Sequence, residues 1–134
     1  MHLSNENYGG ALHSFDRKRD HFGEKMTPKR SQGIIGMTMD NFLNEINEEI
    51  NHIKIDVDGN EDLVLMGSSK TLRKDSTKSI LIELAPVLPN YKEIIRLIES
   101  NGFRLEFPDS NYLNKEIKIN PKNTLNHIFK KGQI

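Results

Sequence analysis

Residues 51–61, Asn51-His52-Ile53-Lys54-Ile55-Asp56-Val57-Asp58-Gly59-Asn60-Glu61, decide how the chain is read. Their first part alternates apolar and polar side chains, with β-branched residues at Ile53, Ile55 and Val57. That is a strand signal, because branched side chains pack well on a pleated surface. Acidic residues then stand at Asp56, Asp58 and Glu61, and Gly59 permits a tight turn. An apolar run, Leu63-Val64-Leu65-Met66, follows at once and reads as a helix. A buried strand thus delivers carboxylates to its C-terminal edge, where a turn passes the chain to a helix. Ligands of open α/β sheets bind at that edge.

On either side of this stretch, strand and helix signals alternate. Upstream, Thr38 reads as the N-cap of a helix over 39–50, with Phe42, Leu43, Ile46 and Ile50 on one face. Asp40 falls in its first turn, where a carboxylate complements the helix dipole. Downstream, a helix over about 60–67 is opened by Glu61-Asp62 and closed by Gly67. Residues 70–78 read as a polar connection. Ser79-Ile80-Leu81-Ile82-Glu83-Leu84 is nearly continuous apolar chain, as expected of a strand buried on both faces of a parallel sheet. Asn90 then caps a helix over 91–101, with Ile94, Ile95, Leu97 and Ile98 inward and Gly102 as its stop. Residues 103–107 alternate as a strand, and 112–122 are a polar excursion. Residues 124–130 make a last strand, with Leu125 and either Ile128 or Phe129 inward. The expected fold is α/β, a mainly parallel sheet with an antiparallel last strand and helices on both faces.

Residues 1–37 carry no helical stripe. Isolated apolar positions and many turn formers predict an irregular loop or hairpin region with short strands near 11–15 and 33–37. Its cluster Asp16-Arg17-Lys18-Arg19-Asp20 is mixed in sign and reads as a solvated tip. Residues 38–134 form the domain proper.

Composition narrows the function. Lys and Arg total 19 against 19 for Asp and Glu, so no global field recruits nucleic acid or an anionic membrane. Hydrophobic residues are 35% of the 134, and mean hydropathy is -0.62, low for a self-sufficient core. Part of the apolar surface is therefore expected to pack against something further. With no cysteine, disulfide frameworks and thiolate zinc sites are excluded. No signal peptide or membrane-length apolar run is visible, so a cytoplasmic location is the expectation.

The acidic turn carries the chemistry. Asp56-x-Asp58-x-Asn60 opens like a calcium loop, but the glycine and glutamate that motif needs are replaced by Glu61 and Gly67. A magnesium or manganese site on Asp56 with Asp58 or Glu83 is chemically conceivable, since hard cations take carboxylate oxygens. Turn and helix-start physics explain Asp58, Glu61 and Asp62. They do not explain Asp56, an acid in an Ile/Val strand, where Lys54 is its natural partner two residues earlier on the same face. Glu83 ends the next strand, so Asp56 and Glu83 point into one crevice as candidate catalytic acids for holding a hydroxyl or accepting a proton. Lys54 and Asp58 are candidate substrate contacts. Surface roles are expected for His2, His13, His21, His52 and His127. His13, in Gly9-Gly10-Ala11-Leu12-His13-Ser14-Phe15, is the candidate cofactor contact.

Taken together, these segments resemble the FkbM-type S-adenosylmethionine-dependent methyltransferases. The likeness rests on the Gly9–Phe15 segment, Asp20-His21-Phe22-Gly23 and Thr38-Met39-Asp40-Asn41-Phe42-Leu43. It also rests on Ile53-Lys54-Ile55-Asp56-Val57-Asp58-Gly59-Asn60-Glu61, Leu65-Met66-Gly67, Ile82-Glu83-Leu84 and Asn126-His127-Ile128-Phe129. It implies a Rossmann-like methyltransferase fold, with Asp56 and its turn lining the cleft for cofactor and substrate and Asp40 bordering it. It also implies a partial domain. The family's glycine-rich turn and ribose-binding acid have no counterpart upstream of Gly9, so the expectation is a C-terminal half, truncated and inactive unless completed. The implied reaction moves a methyl group from S-adenosylmethionine to a small-molecule or saccharide hydroxyl, with Asp56 orienting the acceptor or taking its proton. The partners expected besides substrate are the N-terminal half or a second copy. Two other classes stay open: a non-catalytic remnant associating through its open sheet edge, and a metal-dependent hydrolase using Asp56, Asp58 and Glu83.

Overall fold

The structure, a computed structural model, describes residues 2–3, 25, 27, 30–108, 112, 115–116, 118 and 123–132. The order is β1 (His2–Leu3), β2 (Arg30–Ser31), α1 (Met39–Ile46), β3 (His52–Ile55), α2 (Glu61–Met66) and α3 (Ser69–Arg73). Then come β4 (Ser79–Leu84), α4 (Tyr91–Ser100), β5 (Phe103–Phe107) and β6 (Leu125–Lys131). β1 and β2 pair antiparallel by themselves. The other strands form one sheet in the order β3-β4-β6-β5.

The last strand is antiparallel as expected, but the sheet is mixed and not mainly parallel, because β6 enters between β4 and β5 and only the β3–β4 pairing is parallel. β3 and β4 are parallel, with Ile53 opposite Ile80 and Ile55 opposite Ile82. β6 runs against both β4 and β5. Three strands therefore share a direction, and the last in sequence lies between two of them in reverse.

The core lies on one face. Ile53 and Ile55 of β3, Ile80, Ile82 and Leu84 of β4, Phe103 of β5 and Phe129 of β6 meet Leu65, Leu72, Ile94 and Ile98 from α2, α3 and α4. Burying each of these side chains contributes roughly 1.5–3 kcal/mol. The opposite face carries Lys54, Glu83, Arg104, Glu106, Asn126 and Lys130, exposed or half-buried. Among the described residues helices cover one face, which corrects the expectation of two covered faces. β4 likewise alternates between buried and half-buried positions. Leu81 and Glu83 look onto a face whose charged neighbours favour water.

Local differences have physical causes. α1 stops at Ile46 because Asn47 takes the left-handed conformation (φ 53°) that ends a helix. Only Leu43 of its predicted apolar face is buried, and Phe42 and Ile46 are about half exposed. The supposed connection at 70–78 contains α3, which buries Thr71 and Leu72. Residues 33–37 form no strand, and 11–15 lie outside the described residues. Gly67 follows α2 with an ordinary right-handed backbone, not as a left-handed cap. Its lack of a side chain has another use, since an added Cβ would sit 3.2 Å from Thr38. In β6 Phe129 points inward and Ile128 outward.

Candidate functional site

The exit of β3 shapes the site. Asp58 (φ 49°) and Gly59 (φ 93°) both take left-handed backbone, a conformation that Asp tolerates better than most residues and Gly adopts freely. This reverses the chain within two residues and starts α2 at Glu61. The turn separates two surfaces, one polar and one apolar.

The polar surface is on the uncovered face. Lys54 Nζ donates to Asp56 Oδ2 at 2.9 Å, an ion pair open to solvent. Glu83 lies within hydrogen-bond reach of Asp56 from the neighbouring strand, and Thr124 Oγ1 donates to Glu83 Oε1 at 2.6 Å. The two acids singled out by sequence do come together, each already partnered. The Lys54 ammonium, bonded to Asp56 and beside it, holds that carboxyl below the usual carboxylate range. Asp56 is therefore ionised at neutral pH, which suits it to orient a donor better than to abstract a proton. Asp58 is half-buried in the turn. His13 lies outside the described residues.

The apolar surface is a cleft of about 650 Å³ on the other side of the turn. Ile34, Met37, Val57, Leu63 and Val64 supply its walls, with Thr38 and Asn60 as polar side chains. Val57 lines it and Asp56 does not, because successive residues leave a strand toward opposite faces. The acid expected to face the cleft stands behind it.

Two groups have roles that sequence reasoning did not assign. Glu61 is buried, and its Oε1 accepts the Gly59 N–H at 3.0 Å. Burial pushes its carboxyl up from the usual 4.5, against the lowering pull of the Gly59 and Glu61 backbone amides. The carboxylate thus holds the turn together from inside, a role invisible in a sequence where Glu61 looks like a helix-start acid. Ionising Glu61 costs the folded state more than the unfolded one. Glu61→Gln is therefore expected to raise stability at pH 7, measured by urea unfolding. That gain should shrink as pH falls through the folded pKa and vanish below 4.5.

Asp40 is the second. Its carboxylate leaves its own helix and accepts from Lys70 N–H and Thr71 N–H at 2.9 Å each and from Thr71 Oγ1 at 2.7 Å. It caps α3 from a distance of 30 residues in sequence. Among the described residues, no group of three or more His, Asp or Glu is placed to hold a metal ion.

The methyltransferase FkbM domain matches residues 2–105. The chain belongs to the FkbM methyltransferase family. No curated protein and no solved structure matches it. The FkbM match takes in the Asp40 cap, the Asp56 turn and Glu83, and it ends inside β5. In this FkbM chain β6, with buried His127, lies beyond the matched residues yet sits between β4 and β5 in the sheet. No helix among the described residues is long and apolar enough to cross a membrane.

Proposed function

We propose that the chain serves S-adenosylmethionine-dependent transfer of a methyl group to a hydroxyl of a small molecule or saccharide, as part of a Rossmann-like methyltransferase domain. The observation that carries this reading is the sheet. β3, β4 and β5 share one direction, β6 is inserted in reverse, and the matched family's acidic turn stands at the exit of β3.

The described residues do not by themselves fit the cofactor. The turn's Gly59 N–H, a natural donor to a carboxylate, is taken by Glu61. Asp56 and Glu83, the strand-end acids suited to a ribose diol, are engaged by Lys54 and Thr124. A cofactor seat therefore draws on further residues, and what the described ones supply is position. Asp56 stays ionised beside Lys54 and offers an acceptor at the mouth of the sheet.

The test is calorimetric titration with S-adenosylmethionine, followed by label transfer to a panel of hydroxyl compounds. Binding and transfer are expected. Asp56→Asn, which loses the charged acceptor that orients the hydroxyl, should lower the transfer rate by about 10²-fold, while changing stability by less than about 1 kcal/mol because the ion pair is exposed. No heat and no transfer would remove the reading for this chain.

A second reading has its own support. β3 ends the sheet order, so one side of its backbone has no strand neighbour among the described residues. Such an edge is a template for pairing with another chain, and the domain would then act through association instead of catalysis. Light scattering that shows only monomer across a wide concentration range would count against it.

A further inference from the structure

Four consecutive residues, Asp58 to Glu61, carry three separate costs in the turn they form. Asp58 takes left-handed backbone (φ 49°), which a residue with a Cβ adopts less readily than ordinary conformations. Asn60 Oδ1 is buried without a hydrogen bond among the described residues. Glu61 is 6% exposed, and a carboxylate taken out of water needs an opposite charge.

No opposite charge reaches it. Glu61 Oε1 accepts the Gly59 N–H at 3.0 Å, and its own backbone N–H also favours the ionised form. The charged groups that act on it are Asp62 from α2 and Asp58 from the turn, both of like sign. α3 and α4 pack against α2, and among the described residues no charged group of theirs acts on Glu61. Protonation removes this conflict. The carboxyl keeps an acceptor oxygen for Gly59, and its O–H is a donor in a turn whose unpartnered group is an acceptor. Opening the turn removes the conflict in another way. It hydrates the carboxylate and Asn60, and it lets Asp58 relax to an ordinary backbone.

We infer that the 58–61 turn is a proton-operated latch, closed over a protonated Glu61 and released when Glu61 ionises. Burial raises the Glu61 pKa in the closed form, whereas the open form returns it toward 4.5. The preference for the closed form is therefore complete below 4.5 and is lost as pH rises through the closed-state pKa. The latch has a consequence for the site, because Val57 and Asn60 line the apolar cleft and Asp56 stands next to Val57. The proton on Glu61 thus sets the cleft wall beside the strand-end acid. None of this depends on methyl transfer.

Two resonances of the full chain, followed from about pH 4 to 8, test the latch. One is the Glu61 side-chain carboxyl, which gives the closed-state pKa. The other is the Gly59 amide, whose hydrogen exchange, corrected for the intrinsic rate, gives the opening constant. That constant should rise about tenfold for each unit by which the closed-state pKa exceeds 4.5, then level off above it. In Glu61→Gln, which cannot ionise, it should stay at the low-pH value throughout. If that variant does not fold, the two wild-type titrations decide. An opening constant that stays flat while Glu61 titrates, an equal rise in Glu61→Gln, or a carboxyl that titrates at or below 4.5 would each overturn the latch.

Discussion

Replacing His127 by Ala is expected to lower stability by about 3–4 kcal/mol, enough to unfold much of a marginally stable domain. The imidazole is fully buried in the middle of β6, next to the Phe129 ring. Its Nδ1–H donates to the Leu125 carbonyl at 2.8 Å, and its Nε2 accepts from the Tyr91 hydroxyl at 2.8 Å. Truncation leaves a cavity between α4 and β6 and strands two polar groups, one of them a half-buried phenol. His127→Phe fills the volume but still strands both groups, so a loss of about 1–2 kcal/mol is expected. Urea unfolding of the three proteins checks the order.

The same residue sets a pH dependence. Burial pushes the His127 pKa down, and the hydrogen bond to Leu125 pulls it partly back. The unfolded chain therefore binds a proton at a pH where the folded chain does not. The stability tied to neutral His127 is complete above the unfolded pKa of about 6.5 and is lost progressively as pH falls below it. His127→Phe should flatten the stability profile between about pH 5 and 7. An unchanged profile would show that His127 is not the group responsible.

His127 also shows where sequence reading loses purchase. The strand itself was legible, because 124–130 alternates and ends near a basic run. Which face holds the core was not. Ile128 outranks His127 in hydrophobicity, and only the register of Leu81 against Ile128 and Ile82 against His127 places the imidazole inside. β4 and β5 were read with their observed bounds, since a near-continuous apolar run and a strict alternation are strong local signals. α3 was missed for the opposite reason. Its five residues carry Lys70 and Arg73 and a single buried leucine, and the group that starts it lies in another helix. The pairing of Asp56 with Lys54, and its closeness to Glu83, followed from strand geometry and were legible. That Asp56 stands behind the apolar cleft depends on the left-handed pair Asp58-Gly59 and on how residues 34–39 fold back over α2. Neither of these leaves a periodic trace in sequence.

Asp40 joins that long-range architecture to the family motif, and Asp40→Ala is expected to cost about 2–3 kcal/mol. Burial raises its carboxyl, but hydrogen bonds from Lys70 N–H, the Thr71 hydroxyl and N–H, and the Ser69 hydroxyl outweigh that, and the net shift is downward. The lowered pKa means that the folded state favours the ionised form. Its contribution is present above the unfolded pKa of 3.8 and is lost as pH falls through the folded pKa. In Asp40→Ala two N–H groups at the start of α3 lose their acceptor, and the Thr71 hydroxyl loses its partner. The damage should spread, because the Asp40 N–H is also bonded to the Gly67 carbonyl at 3.1 Å and ties α1 to the α2–α3 junction. Asp40→Asn keeps one acceptor oxygen and should recover about half of the loss. Hydrogen exchange gives the decisive readout: in Asp40→Ala the Lys70 and Thr71 amides should exchange faster than those of β4. A variant with intact stability and protected α3 amides, but lost methyl transfer, would instead assign Asp40 to chemistry. The geometry predicts the reverse, because both carboxylate oxygens are already committed to α3 and none is left to face a substrate.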